Sequence, residues 1–272
     1  MSRQDRENLI ILDMGNIKHY YRDALLKEGG QTFDLPYDYG SIMHYSGSSV
    51  SINRDWPAVV PFDLDYQQTL GSPFVSFIDL SMINELYGCK KLCDPVTSAI
   101  CEMGGFPNPR NCSKCVCPGG YDGDHCNERV KKIFNRKKKK YQLSVQPKGD
   151  CGRTIEASPE WNILTDILGD VSVLEPLQDF TVCNYWINSP PETEIEIILL
   201  SFSNSFDVDG CVYDGVEIKA NQDQRLSGYR CSLHLAAVNL CNNDRFTYVQ
   251  KRTYCPRACN LCSTPQSINA AT

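Results

Sequence analysis

Residues 40 to 46 read GSIMHYS, and this short apolar and aromatic stretch, built around Met43 with His44 and Tyr45 beside it, has the makings of half a metal site. A catalytic zinc needs three protein ligands and an open position for water. The chain's other histidines are His19, His125 and His234, and none of the four stands at a spacing that would put two imidazoles on one helical face. Residues 1 to 89 add only scattered carboxylates. Cysteine is the other ligand type in quantity: there are fifteen, all between Cys89 and Cys262. Their spacings do not fall into paired zinc-knuckle form, so a disulfide framework is the better reading.

The elements that must position these groups follow from the whole chain. At 272 residues it is long for one compact domain and comfortable for several small ones. Lys plus Arg is 27 and Asp plus Glu is 33, a formal charge of −6, which excludes a nucleic-acid binder held by phosphate contacts. No window approaches the roughly 20 uninterrupted apolar residues that span a bilayer. So many cysteines imply an oxidising, extracellular destination, yet the opening MSRQDRENLIILDM carries arginines and carboxylates where a signal peptide is apolar. The expectation is a secreted protein whose natural N-terminus lies upstream.

Residues 1 to 88 contain no cysteine and must be held by a hydrophobic core. Ile17, Tyr20, Tyr21 and Leu25 fall at helical spacing before Gly29-Gly30, which predicts a short helix. Residues 31 to 75 read as loops and short strands such as Val50 to Ile52. Ser76 with Asp79 forms a capping-box start, and Leu80, Ile83, Leu86 and Tyr87 carry an apolar face down to Cys89. Six more cysteines, Cys93 to Cys126, crowd a glycine-rich stretch with too little apolar mass for a core, so about three bridges must order it. RVKKIFNRKKKK, residues 129 to 140, has eight basic residues in twelve and reads as a solvated linker that could also hold acidic polysaccharide. From Cys151 to Cys231 the pattern is strands, at Phe180 to Ile187, EIEIILLSFS from Glu194 and Cys211 to Lys219. Four widely spaced cysteines there fit two bridges on a β-sandwich. Cys241, Cys255, Cys259 and Cys262 read as a disulfide miniature domain in preference to a zinc site.

PYDYGSIMHYS, residues 36 to 46, resembles the Met-turn of the astacin family of zinc metalloendopeptidases, and SFIDLSMINELYGC, residues 76 to 89, resembles the last helix and cysteine of that catalytic domain. Ser2-Arg3 with Asp5-Arg6 matches the segment that follows the family's third histidine. The resemblance covers residues 2 to 89. It implies that Met43 is the hydrophobic floor beneath a zinc. It also implies that Tyr45 is an extra ligand that swings to stabilise the oxyanion of peptide cleavage; His44 is not carried over as a ligand. Metzincins combine H-E-x-x-H-x-x-G-x-x-H with this turn, and that motif is absent from these 272 residues. The chain is therefore expected to be N-terminally truncated and inactive as it stands. QTLGSP, residues 68 to 73, departs from the Gly-Gln-Arg-like turn the family shows before its last helix.

Downstream, the chain resembles the companions of nematode-type astacins. Residues 90–127 resemble an EGF-like module, which implies bridges Cys93–Cys112, Cys101–Cys115 and Cys117–Cys126. A basic linker follows at 128–150. Residues 151–235 resemble a CUB domain, possibly truncated, which implies Cys151–Cys183 and Cys211–Cys231, with Asp214 at the position of a calcium ligand in calcium-binding members. Residues 240–263 resemble part of a ShK-toxin-like module. The fold expected is multi-domain, mainly β and disulfide-rich: a partial α+β metzincin lower subdomain, an EGF-like module, a β-sandwich CUB domain and a cysteine-rich tail. The function implied is secreted zinc-dependent hydrolysis of extracellular proteins such as matrix or cuticle glycoproteins. The alternative is a non-catalytic extracellular EGF and CUB binding protein. Cys89 is the odd cysteine in this assignment, and an unpaired thiol is expected there.

Overall fold

The computed structural model describes residues 1–130, 151–168, 182–198, 209–212 and 215–231. The strands are β1 (Ile10–Leu12), β2 (Val59–Pro61), β3 (Phe106–Asn108), β4 (Asn111–Val116), β5 (Tyr121–Asp122), β6 (Glu128–Arg129), β7 (Thr154–Glu156), β8 (Trp186–Asn188), β9 (Val216–Ile218) and β10 (Tyr229–Cys231), and α1 is Phe77–Leu86. They pair as five two-stranded sheets. Among the described residues, no helix is long and apolar enough to cross a membrane.

The chain divides into two compact units. The first is built from residues up to Tyr87 together with those beyond Ser201, and the second runs from Gly88 to Leu200.

In the first unit β1 and β2 pair antiparallel, Ile10 opposite Pro61 and Leu12 opposite Val59. Both strands turn β-branched or aliphatic side chains into a core with Ile17, Leu25, Val50, Ala58 and Leu70. Tyr37, Tyr39 and Tyr66 close it, Tyr39 stacking on Tyr66 at 4.5 Å between ring centroids. Large aromatic areas such as these supply much of a small core's burial. Asn16, buried at 3% exposure, ties the surrounding loops by donating from Nδ2 to the carbonyls of Asn53 (3.2 Å) and Trp56 (2.8 Å) and accepting from Asn53 N (2.9 Å). Antiparallel β9 and β10 pack in this same unit, with Tyr229 against Tyr66 at 4.4 Å.

Two sequence expectations are corrected here. The helix over 16–27 is instead a pair of 3-10 turns, His19–Tyr21 and Asp23–Leu25. Ile17 is bridged to Ser51, and Lys18 N donates to Val50 O at 3.1 Å, so the backbone is extended where the helix would begin. Helix α1 forms with its capping box complete. Its buried face is Phe77, Ile78 and Ser81, whereas Leu80, Ile83 and Leu86 are 40%, 50% and 62% exposed. The helix enters the core by its first turn, not along the predicted stripe.

The second unit carries the bridges Cys93–Cys112, Cys101–Cys115, Cys117–Cys126 and Cys151–Cys183. The hairpins β3–β4 and β5–β6 lie between the first three. Gly123 and Cys126 both take positive φ, which fits the tight turn between β5 and β6. The pair β7–β8 is parallel. It is fastened to the hairpin by Trp186 Nε1 donating to Gly120 O (3.2 Å), Arg129 Nη1 donating to Asn184 O (3.0 Å) and Trp186 tilted against Tyr121 at 5.3 Å. Of the predicted strand at 194–203, residues 194–198 are irregular and the rest lies outside the described residues.

Candidate active-site turn

The turn at 36–46 is held from three directions. At its entry, Arg3 donates to the carbonyls of Leu35 (Nη2, 2.9 Å) and Pro36 (Nη1, 3.3 Å), and its guanidinium lies 5.5 Å from the Tyr37 ring. Asp5 aligns Arg3 with two oxygens, at 2.8 and 2.6 Å, and that partnership holds the Asp5 carboxyl below its ordinary value. At the apex, Asp79 of α1 accepts from Ser41 Oγ at 2.6 Å and from Ile42 N at 3.1 Å. At the flanks, Asp38 accepts from Gly40 N (3.1 Å), and Ser48 donates from N (3.0 Å) and Oγ (2.8 Å) to Asp209.

Within this frame His44 is buried, 5% exposed, with both ring nitrogens engaged. Nδ1 lies 2.6 Å from the Tyr45 carbonyl, which can only accept, so Nδ1 carries the proton. Nε2 then accepts from Tyr37 OH at 2.7 Å. Burial pushes this imidazole down to about 4 and the Tyr37 phenol well above its ordinary value. His44 is thus neutral, has no lone pair for a metal, and serves to orient the Tyr45 peptide. Asp38, 6% exposed, is raised by burial against the donors that surround it.

Tyr45 packs edge-on to Tyr21, with centroids 6.1 Å apart, and is half-buried against the core. Met43 is 75% exposed at the apex, its amide donating to Ser41 Oγ at 3.1 Å. Met43 and Tyr45 therefore sit on one pinned turn. His19 is exposed on its 3-10 turn, and His125 lies in the other unit with Nδ1 2.9 Å from Ile100 O. His234, Asp214, residues 131–140 and the tail cysteines lie outside the described residues, as does the Cys231 side chain and with it the pairing with Cys211. The Cys89 thiol has no partner among the described residues.

A zinc does not fit what is described. Among the described residues, the one group of three His, Cys, Asp or Glu whose ligand atoms converge is Cys151, Asp166 and Cys183, and both of its sulfurs are spent in a disulfide. Arg3, Asp38, Asp79 and Asp209 are site-shaping residues that the sequence reading did not assign. Arg3 and Asp38 lay inside quoted motifs and Asp79 was visible as a cap, but Asp209 had no signal at all.

The class is set by residues 1–88, which match the Astacin peptidase family. Across 236 residues the chain is 43% identical to zinc metalloproteinase nas-31 of Caenorhabditis elegans, covering 85% of this chain and 35% of that protein. It is 32% identical over 231 residues to nas-32 of the same worm, covering 84% and 32%. It is 35% identical over 209 residues to nas-25, covering 74% and 47%. The chain thus spans a third to a half of the length of these curated relatives. Among solved structures, high choriolytic enzyme 1, a hatching enzyme zinc-protease of Oryzias latipes, is 28% identical over 32% of this chain and 44% of that one. Its TM-score is 0.30, too low to equate the two backbones.

Proposed function

We propose that the chain is the turn-bearing part of a secreted zinc metalloendopeptidase that hydrolyses extracellular proteins. In this reading an EGF-like module occupies 90–127, a basic linker 128–150, a CUB domain 151–235 and part of a ShK-toxin-like module 240–263. The observation that carries the reading is the Asp79-pinned turn that presents Met43 and Tyr45 together. Tyr45 is the hydrogen-bond donor to the oxyanion of the tetrahedral intermediate, with its peptide oriented by neutral His44. The four histidines of the chain do not stand at the spacing of the three-ligand motif, so the zinc and the general base belong to parts of a longer protein that these residues do not include. The three bridges over Cys93 to Cys126, with their two short hairpins, support the EGF-like assignment. Cys151–Cys183 supports the start of the CUB domain. Calcium forms no part of the proposal.

The test joins this chain behind the portion of nas-31 that precedes its matched region and follows hydrolysis of a fluorogenic peptide. Expected is activity abolished by 1,10-phenanthroline and lowered by roughly 10² or more in Tyr45→Phe. A folded, zinc-loaded fusion that cleaves nothing, or one indifferent to Tyr45→Phe, overturns the reading.

A further inference from the structure

We propose that residues 209–231 form a strap that seats on both flanks of the 38–48 turn, so that a segment far along the chain sets where Tyr45 stands. One attachment is Asp209, whose carboxylate accepts both the backbone N and the Oγ of Ser48, 161 positions away. The other is Ser227, which donates from N and Oγ to Asp38 at 3.2 Å each, across 189 positions. Met43 and Tyr45 lie between these two points, and Asp38 itself holds Gly40 N. The strap is registered beyond the turn as well. Arg230 N donates to Thr69 Oγ1 at 2.9 Å, and its guanidinium reaches Ser72 Oγ at 2.5 Å while Glu217 steadies it at 3.0 Å.

Burial and shape both mark a built contact. Asp38, Ser227, Arg230 and Thr69 are at most 8% exposed, so their polar atoms have lost water and are satisfied only while the strap is seated. A buried donor or acceptor left without its partner is costly, which favours a fully docked strap over a partly docked one. A Cβ on Gly40 would overlap the Ser227 hydroxyl, and a Cβ on Gly210 would overlap the Gly71 carbonyl. Gly210 also takes φ +83°, where a side chain is strained in any case. Glycine is thus required on each side of the contact. This inference relies on the proposed function only for the importance of Tyr45, and its test needs neither zinc nor activity.

Hydrogen exchange on the 272-residue chain decides it. In the double variant Asp209→Asn/Ser227→Ala, amides of residues 39–48 should exchange at least tenfold faster, while those of β1 and β2 keep their wild-type rates. Gly210→Val, which unseats the strap sterically, should give the same pattern. Unchanged exchange at 39–48 in both variants overturns the proposal. Equal acceleration at 39–48 and in β1 and β2 of the double variant also overturns it, because the segment would then be ordinary core and not a grip on the turn.

Discussion

Asp79 and Ser41 meet at 2.6 Å across 38 residues of sequence, and the same carboxylate also completes the cap of α1 by accepting from Ser76 N at 3.0 Å. Ser76 Oγ returns the bond, accepting from Asp79 N at 3.2 Å. One side chain thus starts the helix and fixes the apex of the turn. A helix N-terminus favours an anionic side chain, so the position suits a carboxylate in both roles.

Because Asp79 serves two structures, Asp79→Ala should cost more than loss of the cap alone. Ser76→Ala removes about 1 kcal/mol, the usual worth of an N-cap, and Asp79→Ala should remove about 2 to 3 kcal/mol once the stranded Ser41 hydroxyl and Ile42 amide are included. Urea unfolding followed at the Trp56 indole resonance measures both. Equal losses in the two variants would show that the turn does not depend on Asp79.

His44 gives the turn a pH window. Its folded value, about 4, lies below the ordinary 6.5, so the stability it contributes is fully present above 6.5 and is lost as pH falls through about 4. The full loss is about 3 kcal/mol. Asp38 acts oppositely: raised by burial above 3.8, it contributes stability at low pH that is lost as pH rises through its folded value. His44→Gln should flatten the decline between 6.5 and 4, and Asp38→Asn controls for the carboxylate. A slope there unchanged by His44→Gln would rule out the buried neutral imidazole.

Counting ligands gives an analytical result. The purified 272-residue chain should hold no stoichiometric zinc in residues 1–89 and cleave no peptide, and Tyr45→Phe should leave it unaltered. One tightly held zinc per molecule by elemental analysis, lost together with proteolysis on chelation, would contradict this.

Cys89, half-buried and without a partner among the described residues, should alkylate with iodoacetamide in the native protein. Peptide mapping without reduction would locate the label. Recovery of Cys89 in a disulfide with any cysteine of the EGF-like or CUB assignment would undo that assignment.

The basic run is a question of charge alone. Replacing Lys137, Lys138, Lys139 and Lys140 with Ser should leave thermal stability unchanged and lower the salt at which the protein leaves immobilised heparin, since exposed charges are screened within about 10 Å at roughly 0.1 M. A large drop in Tm would mean that the run packs against the protein.

What the sequence made legible was local. The capping box at Ser76 and Asp79 could be read because its partners stand three residues apart, and Val50 could be read from β-branching as part of an extended, buried piece. Periodicity misled where tertiary contacts outweighed it: Ile17 is drawn into a bridge with Ser51, and Phe77, Ile78 and Ser81 take the buried side of α1 from Leu80 and Ile83. The grip of Asp209 and Ser227 on the turn was invisible because neither residue carries a local signature and their partners lie 161 and 189 positions away.

The first unit is sewn from two separated stretches of chain, with Gly88–Leu200 running out and back between them. Topologically that makes the disulfide-rich unit an insertion into its neighbour and not a bead on a string. Closing a longer or shorter insert changes the loop entropy only slightly, about 0.6 kcal/mol for each doubling of length. Relatives could therefore gain, lose or exchange whole insertions at this point while the host keeps its stitching. A deletion ending after residue 200 would leave the host's sequence contiguous, whereas one that ran on to residue 231 would remove half of its seam.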